Sequence, residues 1–177
     1  MVYFWLMKIV LVGYMGSGKS TVGRLIAHQL GIPFLDLDDL IEEHTGLSVT
    51  DLFAQKGVVH FRKLEQSLLS TVLTEHPSFV LSTGGGTPSF GDNMERILSE
   101  ADQVIYLQMS VLGLVGRLIK EKSTRPLIAH LTDEELPEFI GKHLFERMPY
   151  YTKASWHISV DGLSPQEVLD RIRPHIY

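Results

Sequence analysis

Ile9-Val10-Leu11-Val12-Gly13-Tyr14-Met15-Gly16-Ser17-Gly18-Lys19-Ser20-Thr21 is the stretch on which the reading of this chain turns. Four apolar residues run into a glycine-rich turn, and Val22 to Ala27 leave it with helical spacing. The turn fits G-x-x-x-x-G-K-[ST] at Gly13, Gly18, Lys19 and Ser20, in the strand-then-helix context that the motif needs. Glycines let the backbone turn tightly, so that its N–H groups converge on phosphate oxygens. The helix N-terminus adds partial positive charge. Gly16, Ser17, Gly18 and Thr21 would line the phosphates. Lys19 would reach the β- and γ-phosphates, and the Ser20 hydroxyl would ligate Mg²⁺. A dinucleotide fingerprint fails, because no third glycine follows Gly16-x-Gly18. The turn is read as a cradle for a nucleoside triphosphate.

Bulk composition agrees with a folded, soluble protein. At 177 residues and 44% hydrophobic content, one domain with a substantial core is expected. The net charge of −5 gives no broad attraction for nucleic acid or anionic membrane. The absence of cysteine excludes disulfides, zinc thiolates and cysteine nucleophiles, and permits a reducing compartment. No transmembrane run, repeat or low-complexity tract is evident, so a cytoplasmic location is expected. Residues 1–6 are read as an extension ahead of a domain that begins at residue 7.

Five short apolar runs recur along the chain: Ile9–Val12, Ile32–Leu35, Phe79–Leu81, Val104–Leu107 and His157–Val160. Such runs suit strands buried on both faces of a parallel sheet. Lys19 to Leu30 has helical spacing and stops at Gly31. Ser48–Asp51 resembles a capping box. Phe61 to Leu73 is amphipathic, with Phe61, Leu64, Leu68 and Val72 on one face. The alternation predicts an α/β doubly wound domain. Residues 120 to 137, with Pro126 and Pro137 and no strand pattern, are read as a loop with a short helix that serves as a lid.

Three further stretches bear on the phosphate acceptor. Asp36 and Asp38 end the second run, where open α/β sheets bind ligands. One would hold Mg²⁺ through water, and the other would hydrogen-bond a substrate hydroxyl; helix capping is the competing explanation. Arg62 offers a guanidinium fork to a carboxylate, or is a solvated basic face. Gly84, Gly85 and Gly86 follow the third run, where other nucleotide enzymes carry an acid. They allow close approach of a ligand to the backbone, or form a flexible turn. The eight histidines show no ligand spacing, and Tyr150 and Tyr151 are read as packing residues.

Taken together, these stretches resemble shikimate kinases, P-loop small-molecule kinases related to nucleoside monophosphate kinases. The resemblance rests on residues 13–21, Phe34-Leu35-Asp36-Leu37-Asp38, Phe61-Arg62 with Glu65, Ser82 to Gly86, Thr124-Arg125-Pro126-Leu127 and Glu146 to Tyr151. It covers residues 7 to 175 in the family's order. It implies a three-layer α/β/α P-loop NTPase with a five-stranded parallel sheet in the order 2-3-1-4-5. It also implies a substrate-binding helical region near 37–65 and a lid near 120–135. The implied reaction is ATP-dependent phosphorylation of the shikimate 3-hydroxyl, on the route to chorismate, by a monomer. By the same resemblance, Asp36 holds Mg²⁺ with Ser20, and Asp38 orients or deprotonates the attacking hydroxyl. Arg62 and Arg147 clamp the carboxylate, Gly84 to Gly86 line the ring with Gly85 the direct contact, and Arg125 reaches the transferring phosphate. Arg117, or Lys120 in its place, stacks on adenine. The loop Asp161-Gly162-Leu163-Ser164-Pro165 lacks the basic residue that some members carry there, and Pro165 is read as opening the last helix.

A gluconate or nucleoside monophosphate kinase would share the cradle and lid without needing Asp38, Arg62, three glycines and Arg147 as a set. A nucleotide switch would carry Asn-Lys-x-Asp and a strand-end Asp-x-x-Gly, and neither is present. An idle family member would have lost some of these residues, and here all are intact.

Overall fold

The structure, a computed structural model, describes residues 6–177; of the expected extension over 1–6, residues 1–5 lie outside the described residues. Five strands form one sheet: β1 (Lys8–Val12), β2 (Phe34–Asp36), β3 (Phe79–Ser82), β4 (Gln103–Gln108) and β5 (Trp156–Ser159). Their order is β2-β3-β1-β4-β5 and every pairing is parallel. Ile9 to Val12 of the central strand have no exposed surface. A strand with helices on both sides has no polar face, which is why it reads as continuous Val, Ile and Leu.

The connections are α1 (Lys19–Leu30), α2 (Leu37–Thr45), α3 (Val49–Glu75), α4 (Asn93–Glu100), α5 (Val111–Glu121), α6 (Leu136–Tyr151) and α7 (Pro165–Ile172). Right-handed crossovers send the chain from β1 outward to β2 and from β2 back to β3 over opposite faces. Accordingly α1 packs with α7, whereas α3 packs with α4. The strand order reverses at β1, between β3 and β4. Ligands of open α/β sheets bind at that switch point, beyond the carboxyl ends of the strands.

Helix α1 runs as expected and ends on Gly31. Ser48 caps α3 by accepting the Asp51 N–H at 3.0 Å, and Pro165 opens α7. The second strand begins at Phe34 rather than Ile32, because Pro33 has no N–H for a ladder. The fifth begins one residue earlier than its apolar run, at an edge where Trp156 and His157 stay exposed. The buried stripe of α3 is Phe61, Glu65, Leu69, Val72 and Leu73, so Leu64 and Leu68 only flank it. A wholly buried glutamate hid that stripe from a reading based on apolar spacing. Between α5 and α6, residues 122–135 hold a 3-10 turn, Lys122–Thr124, and a run of turns without a strand.

Candidate active site

The phosphate-cradle sequence closes β1 onto α1. Gly18 sits at the N-cap with φ 97, where an L side chain would be strained, and provides no side-chain cap. Lys19 is only 7% exposed. Its ammonium donates to the Gly13 and Tyr14 carbonyls at 2.7 and 2.9 Å. Burial pulls its pKa down to about 8, against the pull of the Asp38 and Asp36 carboxylates. The Ser17 hydroxyl is buried and has no hydrogen-bond partner among the described residues.

A cavity of about 290 Å³ opens above this turn. Its walls include Gly16, Gly18, Lys19, Ser20, Thr21, Asp36, Asp38, Gly84, Gly85, Arg117 and Arg125. The structure therefore brings most of the anticipated residues to one place from five separate stretches. Asp36 caps α2 by accepting the Asp38 N–H at 3.1 Å, and its second oxygen accepts the Ser20 hydroxyl at 2.6 Å. One carboxylate thus caps a helix and lines the cavity at the same time. Asp38 is half-buried, and its pKa is pushed up to about 6. Burial is the main cause, reinforced by the Asp36 and Glu65 carboxylates and opposed by Lys19 and Arg62.

Gly86, Arg62 and Arg147 are not walls of that cavity; Gly86 and Arg62 meet at its glycine rim. A Cβ on Gly86 would fall 2.2 Å from Arg62 Nη2, so only glycine leaves room for this guanidinium. A Cβ on Gly84 would lie 3.6 Å from Asp38 Oδ1, which puts the same turn beside the carboxylate. Arg62 Nη1 donates to Glu65 Oε2 at 2.6 Å, and the Thr87 hydroxyl donates to Glu65 Oε1 at 2.5 Å. Glu65 has no exposed surface. It appears in the motif, yet spacing alone does not reveal that it anchors the arginine. Arg147 is largely buried and donates to the His143 carbonyl at 3.0 Å. Its pKa is lowered by burial, with the Arg62 charge contributing in the same sense. Two half-hidden cations that repel one another make a place for an anion.

Arg117 lines both this cavity and a neighbouring cleft of about 130 Å³, formed with Val160, Leu163, Pro165 and Val168. It donates to the Gly16 carbonyl at 3.0 Å. Lys120 lines neither. Arg125 points into the cavity wall, where Glu121 Oε2 accepts from its Nε and Nη2 at 3.0 and 2.6 Å. Sequence reasoning did not find Glu121, because an i,i+4 pair on a charged helix end is common.

Tyr151 is buried, as its packing reading expects, and it also donates its hydroxyl to the Gly85 carbonyl at 2.5 Å. His143 is half-buried and hydrogen-bonds the Tyr14 hydroxyl through Nδ1 at 2.8 Å. Burial, together with the Arg147 and Arg62 charges, pulls the His143 pKa down to about 4.

Comparison with known proteins gives the chain a family. The shikimate kinase family model matches residues 15–177. A shikimate kinase of Flavobacterium psychrophilum is 42% identical over 172 residues, which is 96% of this chain and 99% of that one. The crystal structure of a Bacteroides thetaiotaomicron shikimate kinase superposes with a TM-score of 0.90 at 37% identity, covering 96% of this chain and 98% of the other. A shikimate kinase from Acinetobacter baumannii, solved in complex with shikimate, superposes at 0.89 with 32% identity, covering 98% and 94%. Likeness of that extent, in sequence and in backbone, means that this chain belongs to the shikimate kinase family and is an enzyme of the P-loop kinase fold.

Proposed function

We propose that this enzyme transfers the γ-phosphoryl group of ATP to the 3-hydroxyl of shikimate, giving shikimate 3-phosphate and ADP on the route to the aromatic amino acids. The observation that carries this reading is Arg62 against the glycine rim, with Asp38 at the same turn and Arg147 near enough for the Arg62 charge to act on it. Shikimate has one carboxylate and several hydroxyls, which complement two guanidinium forks and one carboxylate.

Phosphoryl transfer asks for positioning and charge neutralisation more than covalent chemistry. Arg62 and Arg147 hold the acceptor by its carboxylate, and Gly84 to Gly86 admit its ring, with Gly85 closest. Asp38 receives the hydroxyl proton as that oxygen bonds to the γ-phosphorus and the bridging oxygen leaves with ADP. A pKa near 6 keeps Asp38 ionised at neutral pH and within range of useful proton transfer. Lys19 turns from its carbonyl partners to the β- and γ-phosphates, which restore its full charge. Arg125 exchanges Glu121 for the transferring group. Gly16, Ser17, Gly18 and Thr21 enclose the phosphates, and Arg117 stacks on adenine in the cleft beside Leu163. Ser20 Oγ and Asp36 Oδ2 are hard oxygen donors facing the cavity, and they fit Mg²⁺, directly from Ser20 and through water from Asp36. When bound, the ion neutralises charge on the β- and γ-phosphates.

Residues 7–177 form the single catalytic domain, with 37–65 as the substrate-binding region and 120–135 as the lid. Among the described residues, no helix is long and apolar enough to cross a membrane. The enzyme works as a cytoplasmic monomer without nucleic-acid or membrane partners.

The test is a coupled ADP-release assay with ATP and Mg²⁺, supplied with shikimate, gluconate, AMP or no acceptor. Turnover is expected with shikimate alone. Arg62→Ala is expected to lower kcat/KM by about 30-fold or more, because a buried charge loses its partner at about 2–5 kcal/mol. Turnover with another acceptor and none with shikimate would retain the nucleotide site and discard the acceptor.

A further inference from the structure

Arg147 lies at the middle of a stripe on α6. His143 stands four residues before it and Tyr151 four after, a spacing that puts all three on one face. Both neighbours are tied to loops of the active site. His143 Nδ1 meets the Tyr14 hydroxyl at 2.8 Å. Tyr14 is part of the phosphate cradle, and its carbonyl accepts from Lys19 Nζ at 2.9 Å. Tyr151 donates to the carbonyl of Gly85, in the glycine rim, at 2.5 Å. The His143 carbonyl in turn accepts from Arg147 Nη1 at 3.0 Å. Three hydrogen bonds, joined through the covalent frames of Tyr14 and His143, therefore link the cradle lysine to the guanidinium that faces the acceptor.

The helix needs such ties at this place. Pro149 lies inside α6. It has no N–H, so the helix ladder loses a bond between the two tethers and is locally easier to bend. Arg147 itself is largely buried, next to a second cation, and is not held there by a strong ion pair: its nearest acid, Glu146, is 4.0 Å away and mostly exposed. The pair Tyr14–His143 stays in one protonation form near neutrality. Burial raises the tyrosine to about 12 and lowers the histidine to about 4. The hydroxyl keeps its proton and the imidazole stays neutral, so the bond persists over the working range.

We propose that His143, through Tyr14, is a positioning residue that sets Arg147 at a fixed distance from the phosphate cradle, with Tyr151 as the second tether at the glycine rim. The consequence is specific to one substrate. An arginine displaced on a bent helix loses the acceptor carboxylate, while the nucleotide contacts stay in place. This inference rests on the reading of Arg147 as a carboxylate-binding group.

The experiment is steady-state kinetics of the whole enzyme, with shikimate and ATP varied separately and a thermal melt for each variant. His143→Leu is expected to raise the shikimate KM about tenfold, the worth of one good hydrogen bond, with the ATP KM moving less than about twofold. His143→Asn, whose amide can still meet the Tyr14 hydroxyl, is expected to recover most of the loss. Adding Tyr14→Phe to His143→Leu is expected to worsen it by less than about twofold, since both remove the same bond. Equal rises in both KM values, or no rise in a variant that melts like the parent, would overturn the proposal. Arg147→Ala separates the layers of the argument. If it raises the shikimate KM while His143→Leu and His143→Asn do not, only the tether is wrong. If Arg147→Ala leaves that KM unchanged, the carboxylate assignment falls and the tether with it.

Discussion

Asp38 and Lys19 face one cavity and are perturbed in opposite directions, and this has a measurable outcome. In the free enzyme Asp38 titrates near 6 and Lys19 near 8. The profile of kcat/KM against pH reports free-enzyme groups. It is expected to be a bell, rising through about pH 6 as Asp38 ionises and falling above about pH 8 as Lys19 loses its proton. In kcat the alkaline limb moves upward, because bound phosphates hold the lysine charged. A flat profile from pH 5 to 9 would remove Asp38 as proton acceptor. Stability carries the same signature. Asp38 is raised above its unfolded value of 3.8, so the folded state holds the extra proton. The folding advantage is full below that value and is lost as pH rises through about 6. Asp38→Asn, unable to ionise, is therefore expected to be the more stable protein at pH 8, by up to about 3 kcal/mol, while losing about 100-fold or more in kcat. Residues of this kind differ in how legible they are. Gly13 to Thr21 are contiguous, and their chemistry can be read without a fold. Tyr14 and His143 are separated by 129 positions, and no local pattern announces their bond.

At the level of elements, α3 shows what pattern reading catches and what it passes over. The cap at Ser48 and the amphipathic run from Phe61 were both visible, and they turn out to be two halves of one kinked helix. The join is Gly57, with φ 80 and ψ 170, a conformation open essentially to glycine alone. A Cβ there would touch nothing within 4 Å, so replacement brings backbone strain without a clash. Gly57→Ala is expected to destabilise by about 1–3 kcal/mol, read as a lowered melting temperature. If the helix straightens instead, the shikimate KM changes with little loss of stability, because Arg62 rides on the second half. Absence of both effects would mean that the kink is incidental. The positions of β1, β3 and β4 were legible because burial on both faces leaves mostly apolar residues. Their ends were not, since a ladder terminates on hydrogen bonds and proline, to which hydropathy is blind. The α3 stripe was misplaced for a related reason. Its centre is Glu65, a charge whose burial is tolerated only because Arg62 and Thr87 satisfy it.

Across the whole molecule, five of the sixteen basic residues, Lys19, Arg62, Arg117, Arg125 and Arg147, converge on one region of a chain with net charge −5. The segment proposed as the lid is tied to the rest by little. Between Glu121 and Glu135 the one buried side chain is Ile128, with no exposed surface. The proposed lid is thus seated by one wholly buried side chain, Ile128, with Leu131 partly buried against the same core. Ile128→Ala is expected to raise ADP release without acceptor severalfold, since a loose lid admits water to the phosphates. A large fall in melting temperature with no change in that background would show that Ile128 belongs to the core instead.

The opening of α1 carries a further consequence. Helices α2, α3 and α7 each begin with a side-chain cap and an acid in the first turn. Helix α1, which leans on the central strand, has neither. No side chain caps its leading amides, as none caps those of α4 and α6, but α1 alone of the three opens onto the cavity. On the proposed function a triphosphate would partner those amides, and would then support the fold as well as react. Occupancy at one hundred times the dissociation constant adds about 2.7 kcal/mol to folding. A starved cell, poor in ATP, would then hold not only an idle enzyme but a shorter-lived one, its persistence set by the same metabolite that fuels its chemistry.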